Sequence, residues 1–90
     1  SEVKPLFTII IPTKDRAFYL TDTIRTCINQ NYKNLEIIIS DDASSDHTKE
    51  LVEEFVNNDK RVKYIRREIP LGMRSNFEKT LELVKPGQTT

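Results

Sequence analysis

The chain has 90 residues, enough for one small domain and no more. Its 14 basic and 14 acidic residues cancel, so charge gives no case for a nucleic-acid surface or a polyanionic partner, and nucleic acid is not expected among its ligands. Hydrophobic residues make up 37% and fall in periodic blocks, which argues against disorder, and the single cysteine, Cys27, rules out an internal disulfide.

Phe7-Thr8-Ile9-Ile10-Ile11 is an apolar, β-branched run and reads as a strand. Pro12 cannot donate to a ladder and is expected to end it. Thr13-Lys14-Asp15-Arg16 is a polar loop. Leu20, Ile24, Cys27 and Ile28 then recur at helical spacing, and Asn29 to Asn34 reads as a turn. A second strand is expected over Glu36 to Ser40. Its Ile37-Ile38-Ile39 reads as buried on both faces, and it runs directly into Asp41-Asp42. Ser45 or Asp46 is placed to cap a second helix, with Leu51, Val52, Phe55 and Val56 on its apolar face, ended by Asn57-Asn58-Asp59. Val62-Lys63-Tyr64-Ile65 is a third strand and Pro70-Leu71-Gly72 a loop. The last helix begins at Met73 or at Ser75, which stands at capping-box spacing from Glu78. Phe77, Leu81 and Val84 form its expected apolar face, and Pro86-Gly87 stops it.

The order βαβαβα implies an α/β fold with parallel strands, right-handed crossovers and strand order 3-2-1, half of a doubly wound sheet. Such a half leaves one side of the first strand as an open edge. Residues 1–90 therefore read as a portion of a larger domain, and the edge is expected to pair with a second copy. Ligands of open α/β sheets bind at the carboxyl ends of the strands, where Asp41 and Asp42 stand.

The loops narrow the ligand. A dinucleotide site needs Gly-x-Gly-x-x-Gly after the first strand, but the loop here is Pro-Thr-Lys-Asp-Arg, and the two glycines of the chain are Gly72 and Gly87. The P-loop pattern is missing as well. Receiver domains place an acidic pair after the first strand, whereas this pair follows the second. What remains is a nucleotide site without glycine-backbone phosphate binding.

The pattern TIIIPTKDR, then Gln30-Asn31-Tyr32, then LEIIISDDASSD resembles the start of family 2 glycosyltransferases, whose usual aspartate motif is EIIVVDDGSTD. Ala43 stands where that motif has glycine. Residues 70 to 77 resemble the family's Asn-x-Gly loop and its following helix, with Pro70 in place of the asparagine. The resemblance covers nearly the whole chain. It implies a GT-A fold, with this chain as the N-terminal nucleotide-binding portion, and a parent enzyme that moves a sugar from a nucleotide diphosphate donor to an acceptor hydroxyl. The donor implied is a UDP-sugar. The acceptor is a saccharide or a lipid-linked glycan.

By the resemblance, at least one of Asp41 and Asp42 accepts a hydrogen bond from a base N–H, with Asp42 favoured over Asp41, and Thr13 lies against base and ribose where Pro12 frees the backbone to turn under a ligand, against an ordinary strand terminator. Arg16 is a candidate for base or ribose, against an ordinary loop cation. Arg74 is a candidate for the diphosphate, against an exposed helix-start arginine, and Lys79 is a weaker one. Ser44, Ser45 and Asp46 suit helix capping better. His47 has no metal-spaced partner and reads as helix surface. Cys27 reads as a small buried hydrophobe, and Tyr19, Tyr32 and Tyr64 as packing residues. Mg²⁺ or Mn²⁺ is expected only in the full-length enzyme, since no Asp-x-Asp occurs here. No catalytic residue is assigned, and the 90 residues alone are expected not to transfer sugar. The alternative is a non-catalytic interaction module or an inactive fragment. No secretory signal is read and no apolar run approaches the roughly 18 residues of a membrane span. A cytoplasmic location is expected, with peripheral attachment of the parent protein to the membrane left open.

Overall fold

Three β-branched runs form one parallel sheet in a computed structural model that describes residues 6–30, 32 and 34–84. β1 spans Phe7–Thr13, β2 Leu35–Asp42 and β3 Val62–Arg67, in the order β1-β2-β3, which is the expected order read from the opposite edge. The helices α1 (Ala17–Ile28), α2 (Thr48–Asn58) and α3 (Met73–Glu82) alternate with them. Asn31, Lys33 and the helix stop at Pro86-Gly87 lie outside the described residues.

Side chains alternate across a strand, so each strand serves two faces. Ile37 and Ile39 of β2 point to the face covered by α1 and α2. There they join Leu20, Ile24, Leu35, Val52 and Val62 in the core, with Ile9, Ile11, Cys27, Phe55 and Tyr64 packed around it. Burial of Ile37 and Ile39, both 0% exposed, contributes about 1.5–3 kcal/mol each. Cys27 is half-buried there, which pushes its thiol pKa up. Tyr32 packs against Phe7 with ring centroids 4.4 Å apart and ring planes tilted by 59°, while Tyr19 departs from its expected packing role and stands exposed. Asp59 and Arg61 lock the opposite end of the sheet, where Arg61 also donates to the Ile28 carbonyl at 3.0 Å.

Three expectations are corrected. Pro12 does not end β1, because it pairs with Ser40 and Thr13 continues the strand beside Asp41. Phe7 N–H donates to Asn34 of the neighbouring segment, so a period of two turns the Pro12 nitrogen to the open side, where no donor is needed. β2 and β3 each run two residues further than expected, so that Asp41 pairs with Arg66 and Asp42 with Arg67. Acids alone at a strand end look like loop; acids opposite arginines are strand. The third correction concerns α3. Phe77 and Leu81 are exposed, and the residues buried beneath the helix are Asn76 and Thr80. The sheet face below is itself polar, since Ser40 Oγ donates to Asn76 Oδ1 at 2.7 Å and shares a short hydrogen bond with Thr80 Oγ1. The helix turns its i, i+4 polar pair inward to satisfy that face. Gly72, at φ +90°, occupies the N-cap position, and Ser75 forms no capping box.

Candidate functional site

The carboxyl ends of β1 and β2 build the site. Asp41 and Asp42 are adjacent in an extended strand, so their side chains point to opposite faces, and both are 0% exposed. Asp41 faces the α1/α2 side. Its Oδ1 accepts the Ser44 N–H at 3.0 Å and its Oδ2 accepts the Tyr64 hydroxyl at 2.5 Å. Burial, reinforced by that bond, pushes the Tyr64 phenol pKa up. Arg66 Nε lies 3.9 Å from Asp41 Oδ2, buried and without a hydrogen-bond partner of its own. The rest of that guanidinium donates to the Ser44 carbonyl at 3.0 Å and to Glu68 at 2.5 Å.

Asp42 faces the α3 side. Its Oδ1 accepts the Leu71 N–H at 2.7 Å and its Oδ2 the Gly72 N–H at 2.8 Å. One carboxylate thus grips the loop that opens α3, through two charge-assisted bonds. Arg67, opposite Asp42 in the sheet, donates instead to Asn76 Oδ1 at 3.0 Å and Thr80 Oγ1 at 3.1 Å.

Above this edge the β1–α1 and β2–α2 loops cross-link each other. Asp15 Oδ1 accepts the N–H of Ser45 at 2.6 Å and of Asp46 at 3.2 Å, while Ser44 Oγ accepts the Asp15 N–H at 2.8 Å. In the other direction Asp46 Oδ2 accepts the N–H of Ala17, the first residue of α1, at 3.3 Å. Asp46 Oδ1 accepts the N–H of Thr48, the first residue of α2, at 3.0 Å. Burial alone raises the Asp46 pKa, but the bonds from Thr48 and Ala17 outweigh it and hold the carboxyl below its ordinary value.

The predicted residues are therefore distributed. Pro12, Thr13, Asp41 and Asp42 share one edge, with Thr13 beside Asp41, and Thr13 is only 2% exposed. Arg16 is exposed just ahead of α1. Arg74 belongs to α3 on the other face, with a 91% exposed side chain reaching Glu78 at 3.4 Å, and Lys79 is exposed on the same helix. His47 lies exposed before α2, as expected. The roles of Asp15, Tyr64 and Arg66 were not legible before the fold was known. Their partners lie far off in the chain, and no local spacing marks them. A divalent ion does not fit this edge. Asp41 and Asp42 diverge to opposite faces, every carboxylate oxygen already accepts a donor, and the described residues hold no group of three metal-ligating side chains. No helix among the described residues is long and apolar enough to cross a membrane.

Residues 8–86 match the model of glycosyl transferase family 2. A GalNAc(5)-diNAcBac-PP-undecaprenol beta-1,3-glucosyltransferase of Campylobacter jejuni is 45% identical over 60 residues, 67% of this chain and 19% of that protein. A glycosyltransferase of Streptococcus pneumoniae, GlyG, is 32% identical over 63 residues, 70% of this chain and 21% of that protein. The chain thus spans about a fifth of the length of these relatives. Among solved structures, a mannosyltransferase from Pyrobaculum calidifontis in complex with GDP-Man and Mn²⁺ superposes with TM-score 0.81 at 21% identity, covering 92% of this chain and 25% of that one. That likeness establishes a shared GT-A fold.

Proposed function

The chain belongs to glycosyl transferase family 2, and on that premise we propose that it is the N-terminal, nucleotide-sugar-binding portion of an enzyme that transfers a sugar to an acceptor hydroxyl. The observation that carries the reading is the carboxylate pair at the end of β2, held at the carboxyl edge of a parallel sheet beside Thr13. A carboxylate there selects a base that offers a ring N–H, as uracil and guanine do and as adenine and cytosine do not. The donor is read as a UDP-sugar, with GDP as the competing nucleotide. The acceptor is read as a saccharide or a lipid-linked glycan.

Pro12, Thr13 and Arg16 flank base and ribose in this reading, Asp41 or Asp42 accepts from the base, and Arg74 grips the diphosphate. Both carboxylates are closed off, so a ligand first meets the exposed Arg16 and Arg74. To reach Asp42 it must displace the Leu71 and Gly72 N–H groups or share their oxygens. Divalent-metal and proton-transfer chemistry are read as the work of the rest of the parent enzyme, since the acids described at this edge do not fit a metal. The 90 residues alone then bind nucleotide and do not transfer sugar. β1 is an edge strand of the described sheet, and its open side is read as a surface for a second copy, detectable as dimer by light scattering.

The test is titration of the labelled chain with UDP and with GDP, following backbone amides. Shifts clustered at residues 12–16 and 41–44, and lost in Asp41→Asn/Asp42→Asn, are expected. A folded chain whose amides stay still at millimolar UDP and GDP sinks the reading in favour of an interaction module.

A further inference from the structure

Two loops separated by about thirty residues are tied by reciprocal use of two carboxylates. Asp15, from the β1–α1 loop, accepts three hydrogens of the β2–α2 turn: the N–H groups of Ser45 and Asp46, and the Ser45 hydroxyl at 3.3 Å. Asp46, from that turn, accepts the first N–H of α1 and the first N–H of α2. Ser44 closes the weave by accepting from the Asp15 N–H. Asp15 is held at φ +51°, in the left-handed region that a side chain other than glycine, asparagine or aspartate enters at a cost. Surroundings over-determine this conformation, and nothing in the hydrophobic core requires it, because Asp15 is exposed.

The weave has an electrostatic result. The N-termini of two helices converge at one edge, and such ends attract anions. Here one carboxylate, Asp46, accepts from the first N–H of both helices, so neither end is left open to a ligand's phosphate. We propose that Asp15 is a positioning residue for the nucleoside. By fixing the β2–α2 turn against the β1–α1 loop, it sets the gap into which base and ribose fit, while the diphosphate is left to the α3 side. This rests on the nucleotide-binding reading above. It adds a residue that touches no ligand, acting through Ser44, Ser45 and Asp46.

The experiment measures UDP and GDP affinity of the whole chain by amide titration for the parent sequence, Asp15→Ala, Asp15→Asn and Asp59→Ala. Asp59 binds Arg61 at the far end of the sheet and controls for general loss of stability. Asp15→Ala is expected to move the Ser45 and Asp46 amides of the free chain and to weaken the nucleotide about tenfold. Asp15→Asn keeps a carbonyl acceptor and recovers affinity to within about threefold. Asp59→Ala lowers the melting temperature and leaves affinity unchanged. Should Asp15→Ala not fold, Ser44→Ala removes only the acceptor of the Asp15 N–H and is expected to weaken binding about threefold. If Asp15→Ala shifts the turn amides yet binds like the parent, or if Asp59→Ala loses as much affinity, the positioning role is overturned and nucleotide binding stands. A parent chain that binds neither UDP nor GDP overturns the nucleotide reading, and the proposal with it.

Discussion

The two faces of the sheet are held by different physics. On one, α1 and α2 close over Ile37, Ile39, Leu20, Ile24, Val52 and Val62. On the other, α3 is fastened by hydrogen bonds among Ser40, Asn76, Thr80 and Arg67, and by the grip of Asp42 on Leu71 and Gly72. Apolar burial is strong and non-directional, so it holds a layer down without fixing it to a fraction of an ångström. Hydrogen-bond networks contribute less net free energy but specify direction. Stability is therefore concentrated on the α1/α2 face, and placement of α3 and its opening loop is concentrated on the other.

Neighbouring residues of β2 allow a sharp test, because Ile39 and Ser40 point to opposite faces. Ile39→Ala opens a cavity in the core and is expected to cost about 2–5 kcal/mol, read as a lower urea midpoint for the whole chain. Asp42→Asn turns one acceptor into a donor against a backbone N–H and is expected to cost about 2 kcal/mol. Its signature is faster exchange of the Leu71 or Gly72 amide with α1 amides unmoved. Ser40→Ala costs less, about 1 kcal/mol, because Arg67 still donates to Asn76 and Thr80. Its exchange effect is confined to α3. If Ser40→Ala instead lowers protection equally in α1 and α3, the two faces are one cooperative unit and the contrast fails.

The same division explains what the sequence revealed. The strand and helix order was legible wherever apolar residues point inward, as in Ile37-Ile38-Ile39, the α1 stripe of Leu20 and Ile24, and Val52 of α2. α3 was misread because its buried side is Asn76 and Thr80, and pattern analysis assigns the inside to Phe77 and Leu81. Strand ends were underestimated because Asp41, Asp42, Arg66 and Arg67 look like loop until they are seen opposite one another. At the site, the position of the acidic pair was legible from the run of isoleucines before it. The partners of Asp41, Asp42, Asp15 and Asp46 were not, since almost all are set by tertiary pairing across 23 to 31 residues, such as 23 for Tyr64 and 31 for Asp46.

Acid separates the faces more gently. Glu36 pairs with Lys63 and Thr8 on the α3 side, and the Lys63 ammonium holds its carboxyl below the ordinary 4.5. Asp59 at the far end is held below 3.8 by Arg61. Carboxyls with depressed folded pKa values contribute stability that is complete above their ordinary values and is lost as pH falls through the depressed ones. The urea midpoint is thus expected to fall below about pH 4.5. Lys63→Met should shrink the Glu36 part of that loss and leave the Asp59 part. A Lys63→Met chain with an unchanged acid profile would show that the exposed Lys63 contributes nothing.

The smallest effect lies at the joint between the faces. Ala43, directly after Asp42, sits at φ +62°, a left-handed conformation that costs a Cβ-bearing residue about 1–2 kcal/mol. Glycine stands there in the aspartate motif that this segment resembles, and Ala43→Gly removes the strain while adding freedom to the unfolded chain worth about 0.4–1 kcal/mol. The difference favours glycine by about 0.5 kcal/mol, a rise in urea midpoint just large enough to measure. Because the turn joins Asp41 on one face to Asp42 on the other, the gain should raise protection of α1 and α3 amides alike, unlike that of any substitution confined to one face. A loss of stability in Ala43→Gly would mean that the Ala43 methyl packs against Ser44 or Asp46 more tightly than the backbone resists, and that the turn belongs to the α1/α2 face after all.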